Sequence, residues 1–253
     1  MSKFYKIIKQ FLKKVYLRYV PIPIKIYLFK YFKSQRLFYH LNNLKKIGYR
    51  PDCIIDIGAY KGDFTFYTKM IFDHSSIIMI EAQEDKEKYL KQIIEGNKNI
   101  SYEISLLSKS SGLNVPFYEM ETGSSIYQEQ SNVERKVKYY KTKTLDELVF
   151  SKNQYDEYFI KLDVQGAEID ILNGAENVLQ KTNFILLEAS LLNYNQNAPL
   201  ISEVIDYLDS KDFVLFDICD ENRKSDKTLF QVDLLFSKKN SPQRTAINFK
   251  KVY

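Results

Sequence analysis

Asp163 closes an apolar run, YFIKLDV, that stops just before a glycine turn, and Lys161 stands two residues ahead of it. Side chains alternate along a strand, so Lys161 and Asp163 share one side. Glu188 nears the end of a second such run, FILLEAS, which brings two carboxylates and an ammonium to one expected sheet edge. Such a set can take a proton from a weak oxygen nucleophile and offset the charge that develops. Asp163 is the candidate base or substrate-orienting acid. Two other roles stay open for it: with Glu188 it could hold a divalent cation, or it could be a structural carboxylate satisfied by backbone donors. Lys161 suits either an anionic group or a plain salt bridge. Glu168, in the first turn of the helix that follows Gly166, is better placed for capping than for catalysis. The two histidines, His40 and His74, fall away from this edge, so a histidine base is not expected.

A second group lies upstream in DIGAYKGDFT, with Asp56, Gly58, Tyr60 and Gly62. A dinucleotide fingerprint would need glycine where Tyr60 stands, because the backbone must there touch a pyrophosphate. The turn therefore suits a ligand that approaches a strand and helix terminus without a pyrophosphate, and S-adenosylmethionine is one. Glu81 ends the next apolar run, SIIMIE, 23 residues after Gly58, where a carboxylate can accept both ribose hydroxyls. Together these residues predict a bound nucleoside.

The elements that must hold these groups alternate between strand and helix from residue 51 onward. Strands are predicted at 53–58, 76–81, 101–107, 158–164, 184–190, 213–219 and 231–238, with helices at 62–73, 84–96, 167–181 and over PLISEVIDYLDSK. Helix-length connections imply parallel pairing with right-handed crossovers. The last two strands lack a helix between them, so one antiparallel edge strand is expected, as in class I methyltransferases. Residues 112–142 break the pattern with two strand-like stretches, VPFYEM and VKYYKT, around the loop TGSSIY, an insertion suited to covering a site. Thr144 is expected to cap a short helix over LDELV.

Charge divides the chain. Residues 1–50 hold 13 of the 37 Lys and Arg and no Asp or Glu, whereas the remainder holds 24 basic against 32 acidic residues. Phe4, Ile7, Ile8, Phe11, Leu12, Val15 and Tyr16 recur at helical spacing with lysines between, which predicts a basic amphipathic helix over 3–20. It suits an anionic membrane surface, a partner or self-association through N-terminal helices, or docking on its own domain. A second helical stretch is expected over 24–47. Lysines interrupt every apolar run there, against a signal peptide or a membrane span. Cys53 and Cys219 have no partner at metal-ligand spacing and point to a reducing cytoplasm. The organisation expected is a basic helical region over 1–50, a ligand-binding domain over 51–240 and a tail over 241–253.

DIGAYKGDFT, the strand-end Glu81, TGSSIY, KTLDELV, IKLDVQGAEIDILNGAE, LLEAS and QVDLLF occur in the order seen in the FkbM family of methyltransferases, which the chain resembles over about 53–237. The resemblance implies a Rossmann-like fold, S-adenosylmethionine as donor, and O-methylation of a carbohydrate or other hydroxylated product, for instance a capsular or surface polysaccharide precursor. Ala82 stands where the family usually has Pro. Leu106, Leu107, Ser108 and Lys109 replace an Ala-Leu-Ser-Asp-like stretch near the adenine, which makes Ser108 the candidate adenine contact. Tyr127, Tyr194 and the loop 120–130 are candidates to line the acceptor site. Two other functions remain open, a nucleoside-binding scaffold without catalysis and nucleic-acid methylation, although the acidic body and the lack of an NPPY-like motif argue against the latter.

Overall fold

In the computed structural model, which describes residues 35–131, 133–151 and 154–245, the apolar runs become a sheet covered on both faces. Its strands are β1 (Cys53–Ile57), β2 (Ser76–Glu81), β3 (Ile100–Ile104), β7 (Tyr158–Leu162), β8 (Thr182–Ser190), β9 (Phe213–Arg223) and β10 (Leu229–Lys238). They lie in the order β3, β2, β1, β7, β8, β10, β9. All pairs from β3 to β8 are parallel, and β10 runs antiparallel to both β8 and β9. The reversal therefore belongs to one edge of the sheet, with β10 second from the rim and β9 outermost.

Every residue of β1 and β7 is buried, as a parallel sheet with both faces covered requires. Ile55, Ile57, Ile160 and Leu162 point to one face, packed with α4 (Leu145–Phe150), α5 (Glu168–Asn173), α6 (Glu176–Gln180) and α7 (Ile201–Ser210). Ile54, Phe159, Phe184 and Leu186 point to the other, where α1 (Gln35–Lys46), α2 (Asp63–Ile71) and α3 (Glu87–Ile94) supply Leu41, Leu44, Ile71 and Leu90. Cys53 and Cys219 are buried free thiols in these cores. The basic stretch 3–20 and the first part of the predicted helix 24–47 lie outside the described residues.

Two predicted elements divide. The strand expected over 101–107 ends in the large sheet at Ile104, and β4 (Leu106–Leu107) turns into a second sheet, pairing parallel with β6 (Lys136–Lys143). There β6 also pairs antiparallel with β5 (Asn114–Glu119), so the insertion is a hairpin. The helix expected over 167–181 breaks at Gly174. A Cβ at Gly174 would lie 2.5 Å from the Ser108 carbonyl oxygen, and its own carbonyl accepts the Asp146 N–H at 3.0 Å. Packing against the start of α4 thus draws that peptide out of the helical ladder. Thr144 caps α4 as expected, accepting the Glu147 N–H at 3.1 Å. The described residues end in a single turn, α8 (Pro242–Thr245).

Candidate functional site

The ends of β1, β2 and β7 frame a cleft of about 260 Å³ at the carboxyl edge of the sheet. On one side, Gly58 follows β1 with φ +73°, and its N–H donates to the Ile80 carbonyl at 2.9 Å. A Cβ at Gly58 would meet the Asp163 carbonyl oxygen at 2.0 Å, so the β1 turn can lie against β7 only without a side chain. Gly62 begins α2 at φ +75°, and a Cβ there would lie 2.0 Å from Ile93 Cδ1. It faces α3 and not the cleft. Between the glycines, Tyr60 takes a left-handed φ of +51° and donates its N–H to Glu81 Oε2 at 2.7 Å.

Glu81 is nearly inaccessible, and its other oxygen accepts the Gln83 N–H at 2.8 Å. Burial raises its pKa, while those N–H groups and Lys161 counter the rise. Two fixed N–H donors set the carboxylate's direction and leave each oxygen a further lone pair for a ligand. Asp56 lies beneath this turn, wholly buried, with Thr65 Oγ1 donating to Oδ2 at 2.7 Å and Lys161 Nζ 3.1 Å from Oδ1. Asp56 does not line the cleft; it holds the cation that does.

Asp56 and Lys161 are direct partners across β1 and β7. The Lys161 ammonium also lies 3.2 Å from the Gly58 carbonyl oxygen and 3.7 Å from Asp163 Oδ2. Its burial acts to lower the pKa, but Asp56 and Asp163 outweigh it and the net direction is up. Lys161 is thus a retained charge within the cleft wall. Asp163 is 47% exposed at the end of β7, the half-open carboxylate of the group.

Beside it stand Glu188 of β8 and Asp233 of β10, opposite each other across the antiparallel pair. Gln165 Nε2 donates to Glu188 Oε1 at 2.6 Å and to Asp163 Oδ1 at 3.3 Å, and Asn222 Nδ2 donates to Glu188 Oε2 at 3.0 Å. Burial, then Asp163 and Asp233, push Glu188 well above the usual carboxylate range. Burial, then Asp163 and Asp220, push Asp233 up to about 7. Glu168 is pushed up to about 7, chiefly by burial, and accepts the Gly166 N–H at 3.1 Å, so it closes the turn and does not line the cleft. Among the described residues no three His, Cys, Asp or Glu converge as a metal-binding set.

The insertion forms the roof. Phe117, Glu121, Thr122, Ser124 and Ile126 line the cleft. Glu121 ties them to the glycine turn through the Tyr60 hydroxyl, Lys86 Nζ at 3.4 Å and Lys61 Nζ at 3.7 Å. Tyr127, an expected acceptor contact, instead donates its hydroxyl to Asp170 at 2.7 Å, and Tyr194 packs edge-on against Phe230. Neither lines the cleft, and neither does Ser108, whose N–H donates to the Lys143 carbonyl at 2.9 Å. Ser105, Leu106 and Leu107 take its place in the wall, and Leu37 of α1 and Asp233 join them. His40 lies 2.5 Å from Asp217 and His74 beside Asp73, both away from the cleft.

A family model described as the methyltransferase FkbM domain matches residues 56–215. Among curated proteins no sequence matches the chain. Three solved structures are similar to the chain at low identity. EvdMO1 is 13% identical with a TM-score of 0.45, over 79% of this chain and 40% of its own length. A SAM-dependent methyltransferase from Aquifex aeolicus is 14% identical with a TM-score of 0.39, over 85% of this chain and 99% of that one. Magnesium protoporphyrin IX methyltransferase from Synechocystis PCC 6803, with bound SAM, is 8% identical with a TM-score of 0.44, over 81% and 77%. The family match spans well over half of the chain, from Asp56 through the glycine turn, Glu81 and the floor of the cleft: the protein belongs to the FkbM family of S-adenosylmethionine-dependent methyltransferases.

Proposed function

We propose that this methyltransferase transfers its methyl group to a hydroxyl oxygen of a carbohydrate, or of a substituent on a capsular or surface polysaccharide precursor, at the cytoplasmic face of a membrane. The observation that carries the reading is Asp163, a half-exposed carboxylate at the end of a central strand, beside a buried ammonium 3.7 Å away. A neutral hydroxyl needs such a base, whereas a nitrogen with a free lone pair does not.

S-adenosylmethionine, the donor by family, supplies an electrophilic methyl on a positively charged sulfur. The cleft fits that group. Glu81 presents oriented lone pairs at the end of β2, Leu106, Leu107, Phe117 and Ile126 offer apolar walls for a flat base, and the acidic floor favours a cation. In this reading Glu81 holds the ribose hydroxyls and Asp163 accepts the acceptor's proton. Lys161, tied to Asp56 and 3.7 Å from Asp163, offsets the negative charge that develops on the oxygen. Glu188 borders the acceptor's side of the cleft.

The test is methyl transfer to a panel of hydroxylated sugars by wild type and Asp163→Asn, with and without a chelator. The expected result is a loss in kcat of roughly 10²–10⁴ for the variant, with donor binding retained and no effect of chelator on wild type. An undiminished Asp163→Asn removes the base. Chelator-sensitive activity restored by Mg²⁺ replaces it with a metal.

A further inference from the structure

Gln165 occupies a left-handed backbone conformation, φ +55°, between Asp163 and Gly166. A residue with a side chain adopts that region at a cost of order 1–3 kcal/mol and persists there only where its surroundings impose it. Here two buried side chains impose it. Ser125 Oγ, from the roof, and Asn195 Nδ2, from the segment after β8, both donate to the Gln165 carbonyl at 2.8 Å. The peptide is clamped from two sides, and the side chain is thereby aimed back over the sheet.

Its amide has a fixed sense. Gln231 Nε2, on buried β10, lies 3.3 Å from Gln165 Oε1, which occupies the acceptor end and leaves the Nε2 end toward the carboxylates. That end is shared between Glu188 at 2.6 Å and Asp163 at 3.3 Å. The charged groups that act on Glu188 and Asp233 beside this amide come from several elements: Asp163 and Lys161 from β7, Asp220 from β9 and Glu168 from α5. Only one of them is a cation, and it is bound to Asp56. Gln165 is a neutral donor set between two acids.

We propose that Gln165 is a positioning residue for methyl transfer, its amide bridging Asp163 and Glu188 so that the Asp163 carboxylate keeps one direction toward the acceptor oxygen. Gln165 does not line the cleft and touches neither donor nor acceptor; it acts through Asp163. The inference rests on the assignment of Asp163 above. An ionised carboxylate at 165 would lack the bridging donor.

Two readouts test it. In the ligand-free protein, carboxyl carbon-13 titration of wild type and Gln165→Leu should place the Glu188 midpoint about one unit higher in the variant, because the donor that favoured the charged form is gone. With the acceptor found in the sugar panel, Gln165→Leu should lose about tenfold to a hundredfold in kcat with KM little changed. Gln165→Glu should lose activity at neutral pH and recover it as pH falls, since a protonated carboxyl can donate the missing hydrogen bond. Gln165→Asn accepts the left-handed backbone but is one methylene short, so it should melt as wild type does and remain slow. Unchanged midpoints and unchanged kcat in Gln165→Leu overturn the proposal, and so does a parallel fall in kcat, donor affinity and melting temperature across the variants. Asp163→Asn in the same assay separates the two claims: full activity there removes the base itself, whereas an inactive Asp163→Asn beside an active Gln165→Leu removes only the bridge.

Discussion

Glu81 is oriented before any ligand arrives, because the N–H groups of Tyr60 and Gln83 each take one of its oxygens at 2.7 and 2.8 Å. Those N–H groups belong to the two turns that border the cleft, so the carboxylate links them. Removing it leaves two buried donors without an acceptor and removes the ribose contact. Charged hydrogen bonds contribute roughly 1.5–3 kcal/mol each, so Glu81→Ala should weaken S-adenosylhomocysteine binding by about 10- to 100-fold in calorimetry. Glu81→Gln retains one acceptor oxygen and should fall between. Affinity unchanged in both variants would take the ribose role away from Glu81. The placement of Gly58 and Glu81 beside the cleft was legible in the sequence, because a glycine turn and a strand end fix them, whereas Gly62 faces α3. The placement of Ser108, Asp233 and Leu37 was not. Whether each faces the cleft is decided by strand register and helix docking: β4 leaves the large sheet after Ile104, and Asp233 reaches Glu188 only through an antiparallel pairing between strands far apart in sequence.

Elements position these residues through a few buried polar ties. The roof segment 121–130 has little regular structure, and it is fixed at one end by Glu121 and at the other by Glu129, which pairs with Arg135 of the segment leading into β6. Both of those side chains are almost wholly inaccessible, 2% and 5% exposed. Arg135 also donates to the Gly123 carbonyl, so one guanidinium holds the loop at two points. Deleting one partner of a buried pair strands the other charge, at about 3–5 kcal/mol. Arg135→Met should therefore lower stability by that order in urea unfolding and loosen the roof, with donor affinity falling further than the folded fraction alone accounts for. Stability lost without a change in the affinity of the folded protein would mean that the roof does not bear on the donor. The hairpin was visible in the sequence as two strand-like stretches, but the Glu129 to Arg135 tie was not. Neither residue sits in a periodic pattern, and the pair forms only when the loop folds back on the hairpin.

At the scale of the molecule, α1 sets where the described residues meet the basic stretch that precedes them. Leu37 near its start lines the cleft, and Arg36 lies 3.7 Å from Asp220 at the same rim. Its far end reaches the opposite edge of the sheet, where Lys45 Nζ donates to the Ile71 carbonyl at 2.5 Å and the following Tyr49 reaches the Tyr158 carbonyl at 3.3 Å. The helix thus runs antiparallel to β1 and β7, and residues 1–34, with nine basic and no acidic side chains, join the protein at the mouth of the cleft. The amphipathic spacing and charge of that stretch suit an anionic lipid surface, and under the proposed function such a membrane would lie on the cleft side, where a membrane-borne precursor could reach Asp163. The protein should sediment with vesicles containing phosphatidylglycerol at low salt, dissociate as ionic strength passes a few hundred millimolar, and ignore neutral vesicles. A fluorophore on Thr122→Cys at the exposed cleft rim should be quenched by spin-labelled lipid, whereas one on Ile47→Cys, 48% exposed beyond the far end of α1, should not. Equal quenching at the two positions would leave membrane binding standing and remove the orientation. Failure to sediment with anionic vesicles would remove both, and would leave the basic head to self-association, which sedimentation velocity without lipid would then show.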